Sequence, residues 1–325
     1  MATLSTVPAP KKTTAQASLG RVLSGQVSSG QVSSSQVASF AWARVAGGFS
    51  HLAALWHLTS LDAPTVAVTW ALAFAWAVHI SLPIWLPAIL ALTTWTIYIG
   101  DRLLDAKRAQ HSLRARHHFH WRHHRIFVPV AIASALAALA LVLYYMPIAA
   151  RTRNSVLAAV TLAYFTGVHS DRRISVRSFF ARIVPANFPM KELLVGVIFT
   201  LACAVPTLTR MITNRVEMLL PILCFIALAW LNCRAIEVWE TAPERQLRSG
   251  RTFLAAMVLM SIALFSAGIA VGFHQLHAGA LLASGALSAG LIGILDRNSC
   301  SLSPVMLRTI VDLVLLTPLI LLAIG

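Results

Sequence analysis

Two short groups of acidic residues carry the chemistry that this sequence can do. The chain holds only 11 Asp and Glu in 325 residues, so each group is conspicuous. The first contains Asp101 and Asp105, whose spacing of four places both carboxylates on one face of a helix. Carboxylate oxygens bind hard divalent cations, and this pair can hold one between them. The alternative is a helix end at which Asp105 pairs with Arg102 or Arg108.

The second group consists of Asn232, Glu237 and Glu240, with Arg234 among them. It predicts a helix end that carries two carboxylates and an amide. Basic segments follow both groups in the sequence. Carboxylates can hold magnesium while Arg and Lys contact phosphate oxygens. The two groups together therefore have the composition of a magnesium–diphosphate site.

The first group resembles a motif of the UbiA-type intramembrane prenyltransferases, which reads roughly NDxxDRxxDA. Residues 101–106, with the sequence DRLLDA, match its second half. The Asn and Asp positions of the first half are occupied here by Ile97 and Tyr98. The chain therefore keeps part of the ligand set of the family motif.

The second group resembles the second acidic motif of that family, which often has an Arg-Asp-Ile-Glu core. Residues 234–237 read RAIE, with Ala in place of Asp. The segment 191–196, KELLVG, resembles the Lys-bearing entry to the family's fifth helix. Both motifs stand where the family has them, after the second and sixth predicted spans.

The resemblance implies an all-α bundle of nine transmembrane helices around a central cavity. It implies that Mg²⁺ and a prenyl diphosphate bind near the cytoplasmic mouth, and that the prenyl group passes to an aromatic or other lipid-soluble acceptor. Asp101 and Asp105 would be catalytic ligands of one ion. The residues implied for the second ion are Asn232, Glu237 and Glu240, and those implied for the diphosphate are Arg102, Lys191 and Arg234.

A function of another class stays open. The incomplete motifs also fit a non-catalytic relative that binds or moves an isoprenoid lipid, or that scaffolds a partner protein. The two functions differ in whether activity needs ionised, metal-bound carboxylates.

Histidines form a third pattern, after the second predicted span. Six of the 12 histidines lie in residues 111–124, and residues 120–124, HWRHH, match the HxxHH pattern of membrane di-iron oxygenases. Such a site needs several His boxes, and the other close pair, His274 and His277, falls on the opposite side of the membrane by the topology below. A basic loop that touches lipid headgroups or covers the cavity is the simpler interpretation. The six residues are His111, His117, His118, His120, His123 and His124.

Hydropathy predicts the elements that position these groups. The chain is 58% hydrophobic and 11% charged, with long apolar runs that are typical of membrane-spanning helices. Residues 1–39 are rich in Ser, Gly and Gln and predict a disordered tail, and residues 40–59 predict an interfacial helix. Residues 60–325 form the predicted membrane domain. Its nine predicted spans are Pro64–Leu82, Pro83–Gly100, Ile126–Met146, Val156–Val168, Leu193–Leu208, Met218–Leu231, Phe253–Phe273, Ala278–Leu295 and Val305–Ile324.

Charge predicts the orientation. The tail and the segments after spans two, four, six and eight hold 22 of the 26 Lys and Arg, if Arg308 near the start of span nine is counted with the segment before it. These segments and the N-terminus are therefore expected in the cytoplasm. The protein is expected to be a multi-pass protein of the bacterial inner membrane. The net charge of +15 then reflects membrane lipid as partner and not nucleic acid. At the start of span nine, Arg308 and Asp312 lie one turn apart and are predicted to pair.

Overall fold

The computed structural model describes residues 52–108, 115–169, 190–212, 215–241 and 250–324. Within these ranges the regular structure is helical and no strand occurs, so the all-α prediction is confirmed. The predicted tail, 1–39, and the first part of the predicted interfacial helix lie outside the described residues.

The first half of the fold runs from a short helix into longer ones. Helix α1 spans Leu52–Leu58, and its axis makes an angle of 91° with α2. The following helices are α2 (Asp62–Ala77), α3 (Trp85–Arg108), α4 (Ala115–Arg122), α5 (His124–Tyr145) and α6 (Ile148–His169).

The second half adds six further helices and two short 3₁₀ turns. The turns, Arg215–Met218 and Ser299–Ser301, adjoin the start of α8 and the end of α10. The helices are α7 (Met190–Leu208), α8 (Leu219–Thr241), α9 (Arg251–Gly272), α10 (Leu276–Asn298), α11 (Pro304–Val314) and α12 (Leu319–Ile324).

Five helices are long and apolar enough to cross a bilayer: α5, α7, α8, α9 and α10, where α8 and α10 are counted with their adjoining turns. The bent pair α1–α2 brings the number to six if it is one broken span. These helices are those of an integral membrane protein. The predicted count of nine is not confirmed, because α2 has only 16 residues, α3 ends in the charged segment DRLLDAKR, and α6 carries Arg151 and Arg153 near its start.

The last predicted span, Val305–Ile324, is interrupted in the middle. Helix α11 ends at Val314 and α12 begins at Leu319. Side chains of neighbouring helices bind the carbonyl groups that the break frees. Trp70 Nε1 donates to Leu315 O at 2.9 Å, and Ser288 Oγ donates to Val314 O at 2.8 Å. A broken helix is tolerated at membrane depth when its backbone groups are satisfied in this way.

Aromatic and small residues pack the core. Trp70 and Phe74 of α2 meet Phe225 of α8, and the rings of Trp70 and Phe225 stack with centroids 3.8 Å apart. Helices α9 and α10 pack closely because glycines of α10 leave room for methionines of α9. A Cβ atom at Gly290 would lie 2.8 Å from Met260 Sδ. Small residues of α10 therefore permit close packing against α9.

Candidate functional site

A cluster of three ionisable residues, two of them buried, lies where α1, α2 and α11 meet. His57, at the end of α1, and Asp62, at the start of α2, are 2% and 3% exposed. The corner between the helices has Ser60 in a left-handed conformation, with φ of 61°. His57 Nδ1 lies 2.7 Å from Asp62 Oδ2 and 3.4 Å from Asp312 Oδ2 on α11. One imidazole nitrogen therefore faces two carboxylates.

Arg102 joins this cluster from α3. Its Nη2 lies 3.5 Å from Asp62 Oδ2, and its Nη1 donates a hydrogen bond to His57 O at 3.1 Å. The residue is 4% exposed. Asp101 and Asp105, on either side of it in sequence, are half-buried. The arginine of the first acidic motif therefore connects the end of α3 to the start of α2.

Asn232 joins the cluster from α8. Its Nδ2 donates to Asp312 Oδ1 at 3.4 Å, and the residue is 8% exposed. Its Oδ1 is buried and has no hydrogen-bond partner in the described structure. This amide therefore carries a buried acceptor with its bonding capacity unused, which costs free energy unless something binds it.

The rest of the second motif lies at the same end of α8. Arg234 Nη1 donates to Glu237 Oε2 at 2.6 Å, and both side chains are about two-fifths exposed, at 41% and 43%. Glu192, in the first turn of α7, lies near Glu237. The adjacent Lys191 is exposed.

Arg308 and Glu240 form an ion pair between α11 and α8. The predicted pairing of Arg308 with Asp312 is therefore wrong. Although the two residues are one turn apart, Asp312 faces His57 and Asn232, whereas Arg308 reaches across to the neighbouring helix. An i, i+4 spacing allows a pair within a helix but does not decide between it and a partner on a packed neighbour.

These contacts connect the two predicted motifs. Arg102, at the end of α3, contacts Asp62, which shares His57 with Asp312. Asp312 in turn contacts Asn232 on α8. The ends of α3 and α8 therefore lie at the same end of the helical domain, joined by α2 and α11. Sequence patterns did not single out His57 or Asp62, because neither residue belongs to a recognisable motif. The only feature that marks them in the sequence is that two ionisable residues lie beside an apolar segment.

The described part of the histidine-rich segment contacts the α1–α2 corner through His120. His120, on α4, is fully buried, and its Nε2 lies 3.2 Å from Ser60 Oγ at the α1–α2 corner. His123 and His124 donate from Nδ1 to backbone carbonyls within the same segment. Residues 109–114, which include His111, and the side chain of His117 lie outside the described part.

One group of His, Cys, Asp or Glu residues in the described ranges has ligand atoms close enough to share a metal ion. It consists of His57, Asp62 and Asp312, whose candidate atoms all lie within 4.8 Å of one another. The HxxHH histidines are not part of such a group among these residues. The structure therefore offers no support for a di-iron site built on them.

Comparison of the chain with protein-family models, curated proteins and solved structures gave no match.

Proposed function

We propose that the protein transfers a prenyl group, within the membrane, from a magnesium-bound prenyl diphosphate to an aromatic or other lipid-soluble acceptor. The observation that carries the proposal is the set of contacts from Arg102 through Asp62, His57 and Asp312 to Asn232. A diphosphate bound by two ions needs both acidic motifs at one end of the domain. These contacts support such an arrangement, because they link the helix of the first motif to the helix of the second. The nine-span bundle, its central cavity and its cytoplasmic N-terminus belong to the same proposal.

The donor chemistry of the motifs fits magnesium. Asp101, Asp105, Glu237 and Glu240 offer carboxylate oxygens, whereas Asn232, which the resemblance implies for the second ion, instead contacts Asp312. Magnesium prefers oxygen ligands of this kind. When bound, it neutralises charge that develops on a departing diphosphate.

The cationic side chains of the chain divide into two sets. Lys191 is exposed and Arg234 is 41% exposed, so both can turn toward a diphosphate at this end of the domain. Arg102 and Arg308 hold carboxylates in largely buried pairs, whereas the pair of Arg234 with Glu237 is partly exposed. In the proposal, Lys191 and Arg234 contact the diphosphate, and Arg102 positions Asp101 and Asp105 by holding α3 against α2. Contact of Arg102 with phosphate would require it to give up Asp62.

Binding or transport of an isoprenoid lipid without catalysis is the second candidate. Two ion pairs favour it, because Arg234 contacts Glu237 and Arg308 contacts Glu240. Carboxylates that already have cationic partners gain less from a metal ion. Ile97 and Tyr98, at positions where the family motif has Asn and Asp, favour it as well.

The test is release of diphosphate from prenyl diphosphates of different chain lengths. The purified full chain, in lipid nanodiscs with Mg²⁺ and a panel of lipophilic aromatic acceptors, is expected to release it and to yield a prenylated acceptor by mass spectrometry. The Asp101→Asn/Asp105→Asn variant is expected to do neither. Glu217→Gln, in the turn before α8 and hence at the opposite end of that helix, is the control. Binding of prenyl diphosphate without release, unchanged by the double substitution, would instead identify the second candidate.

A further inference from the structure

We propose that His57, Asp62, Asp312 and Asn232 form a binding site for one divalent transition-metal ion, separate from the magnesium ligands of the acidic motifs. The four residues come from α1, α2, α11 and α8 and meet in one buried cluster. Neither family motif includes His57, Asp62 or Asp312.

The cluster holds more acceptors than donors. His57 Nδ1 and Asn232 Nδ2 both approach Asp312 at 3.4 Å, beyond the usual 2.7–3.2 Å range of such hydrogen bonds, and the Asp62 carboxylate lies in the same group. Asn232 Oδ1 has no partner in the described structure. The one arginine in the cluster, Arg102, contacts Asp62 and His57 O. Two neighbouring carboxylates therefore share few donors, and the amide that contacts one of them carries an unused buried oxygen, so a cation would satisfy these groups.

The separations suit coordination. On an ion with bonds of about 2.1 Å, neighbouring ligand atoms lie about 3 Å apart at a right angle and about 3.4 Å apart in a tetrahedron. His57 Nδ1 lies 2.7 Å from one carboxylate oxygen and 3.4 Å from the other. All three atoms lie within 4.8 Å of one another, so rotation of the carboxylates is enough to bring them onto one ion.

The donor set selects the kind of metal. One imidazole nitrogen with two carboxylates and an amide oxygen suits Mn²⁺, Fe²⁺ or Zn²⁺, whereas magnesium prefers oxygen ligands alone. Arg102, 3.5 Å from Asp62 Oδ2, would hold this carboxylate in place from outside the ion. Because the ligands come from four helices, a bound ion would lock the α1–α2 corner to α8 and α11.

The experiment uses Mn²⁺ as probe and no prenyl diphosphate, so its result does not depend on the proposed transferase activity. The full-length Asp101→Asn/Asp105→Asn protein, stripped with chelator in detergent micelles, is titrated with Mn²⁺ while the electron paramagnetic resonance signal of the free ion is followed. One equivalent is expected to bind with a nitrogen coupling in the pulsed spectrum, and any ion held by Glu237 and Glu240 should show none, because these residues offer only oxygen ligands. His57→Gln is expected to abolish that coupling, and Asp312→Asn to weaken binding at least about 10-fold.

Asn232→Leu, made in the same background, tests whether weaker Mn²⁺ binding by a variant results from loss of a ligand or from misfolding. Leu keeps the size of the side chain and removes its unsatisfied buried oxygen together with the long hydrogen bond to Asp312, so the metal-free variant is expected to stay folded while binding Mn²⁺ more weakly. The proposal is overturned if the parent protein binds no stoichiometric Mn²⁺, or if the bound ion shows no nitrogen coupling. It is also overturned if Asp312→Asn and Asn232→Leu, both folded, bind Mn²⁺ as tightly as the parent.

Discussion

The guanidinium of Arg308 contacts the carboxylate of Glu240 through both Nε and Nη2, which ties the start of α11 to the end of α8. The two side chains are only 12% and 14% exposed. Two charges held this far from water depend on each other, because loss of one leaves the other buried and uncompensated.

Arg308→Gln and Glu240→Gln are therefore each expected to lower the free energy of unfolding by about 3 kcal/mol. The double variant should lose less than the sum of the two, because it leaves no unpaired charge. Unfolding in mixed micelles, followed by tryptophan fluorescence, measures all three. Glu217→Gln, an acid for which no ion pair is seen in the described structure, should change little. Strict additivity of the two single substitutions would show that the pair is not coupled.

A close approach of α7 and α8 gives a second prediction. A Cβ atom at Gly196 would lie 3.1 Å from Trp230 N and 3.2 Å from Ile226 O, both backbone atoms of α8. Backbone atoms cannot rotate away, so Gly196→Ala is expected to force the helices apart and to destabilise the protein by about 1–3 kcal/mol.

Gly268→Ala is the matched control, because nothing lies within 4 Å of its added Cβ atom and the site is inside α9. It is expected to leave stability unchanged or to raise it by up to about 1 kcal/mol, since Ala favours a helix over Gly. The thermal unfolding midpoints of both variants in the same detergent provide the comparison. Equal midpoints for the two variants would contradict the close contact at Gly196.

The sequence predicted the helices far better than the contacts between them. Each predicted span coincides with a helix or, for Val305–Ile324, with two, because apolar length alone selects helical segments in a membrane protein. The break after Val314 could not be predicted from hydropathy. It depends on donors supplied by Trp70 and Ser288, which are distant in sequence and adjacent in the fold.

The candidate site likewise has a part that the sequence predicts and a part that it does not. Sequence spacing singled out Asp101, Asp105, Glu237 and Glu240, since residues three or four apart share a helix face. Spacing cannot show that His57 Nδ1 approaches Asp312 Oδ2 to 3.4 Å, because that contact joins residues of two helices that are far apart in the sequence. Tertiary contacts of this kind follow from packing and not from a local pattern.

The orientation in the membrane is a third prediction. A reporter fused after Gly325 is expected to be extracytoplasmic, and one inserted near Arg116 to be cytoplasmic, because 22 of the 26 Lys and Arg fall in the segments assigned to the cytoplasm. Paired phosphatase and fluorescent-protein fusions at both positions, expressed in a bacterial host, report the two sides. Two cytoplasmic signals would mean an even number of spans between the N-terminal tail and Gly325 if the tail is cytoplasmic, and would rule out nine.

Asp105→Asn tests the proposed chemistry at one residue. Asp105 is half-buried on α3, one turn beyond Asp101 and in the matched half of the first motif. Asn keeps the shape of the side chain and removes its charge, so magnesium-dependent prenyl transfer is expected to fall by about 100-fold or more. The variant should still elute as a folded protein in detergent, because Arg102 holds α3 to α2 through Asp62 and His57 O.

Glu244→Gln, an acid that follows the second motif in sequence but lies outside it, is the control for a general effect of lost charge and should keep wild-type activity. Both variants are assayed on the same confirmed substrate, with rates measured across a range of Mg²⁺ concentrations. If the role of Asp105 is to hold magnesium, any residual activity of Asp105→Asn should need more Mg²⁺ for half its maximum than the wild type does. Wild-type activity in Asp105→Asn would remove Asp105 from the metal site and leave pairing with a nearby arginine as its role.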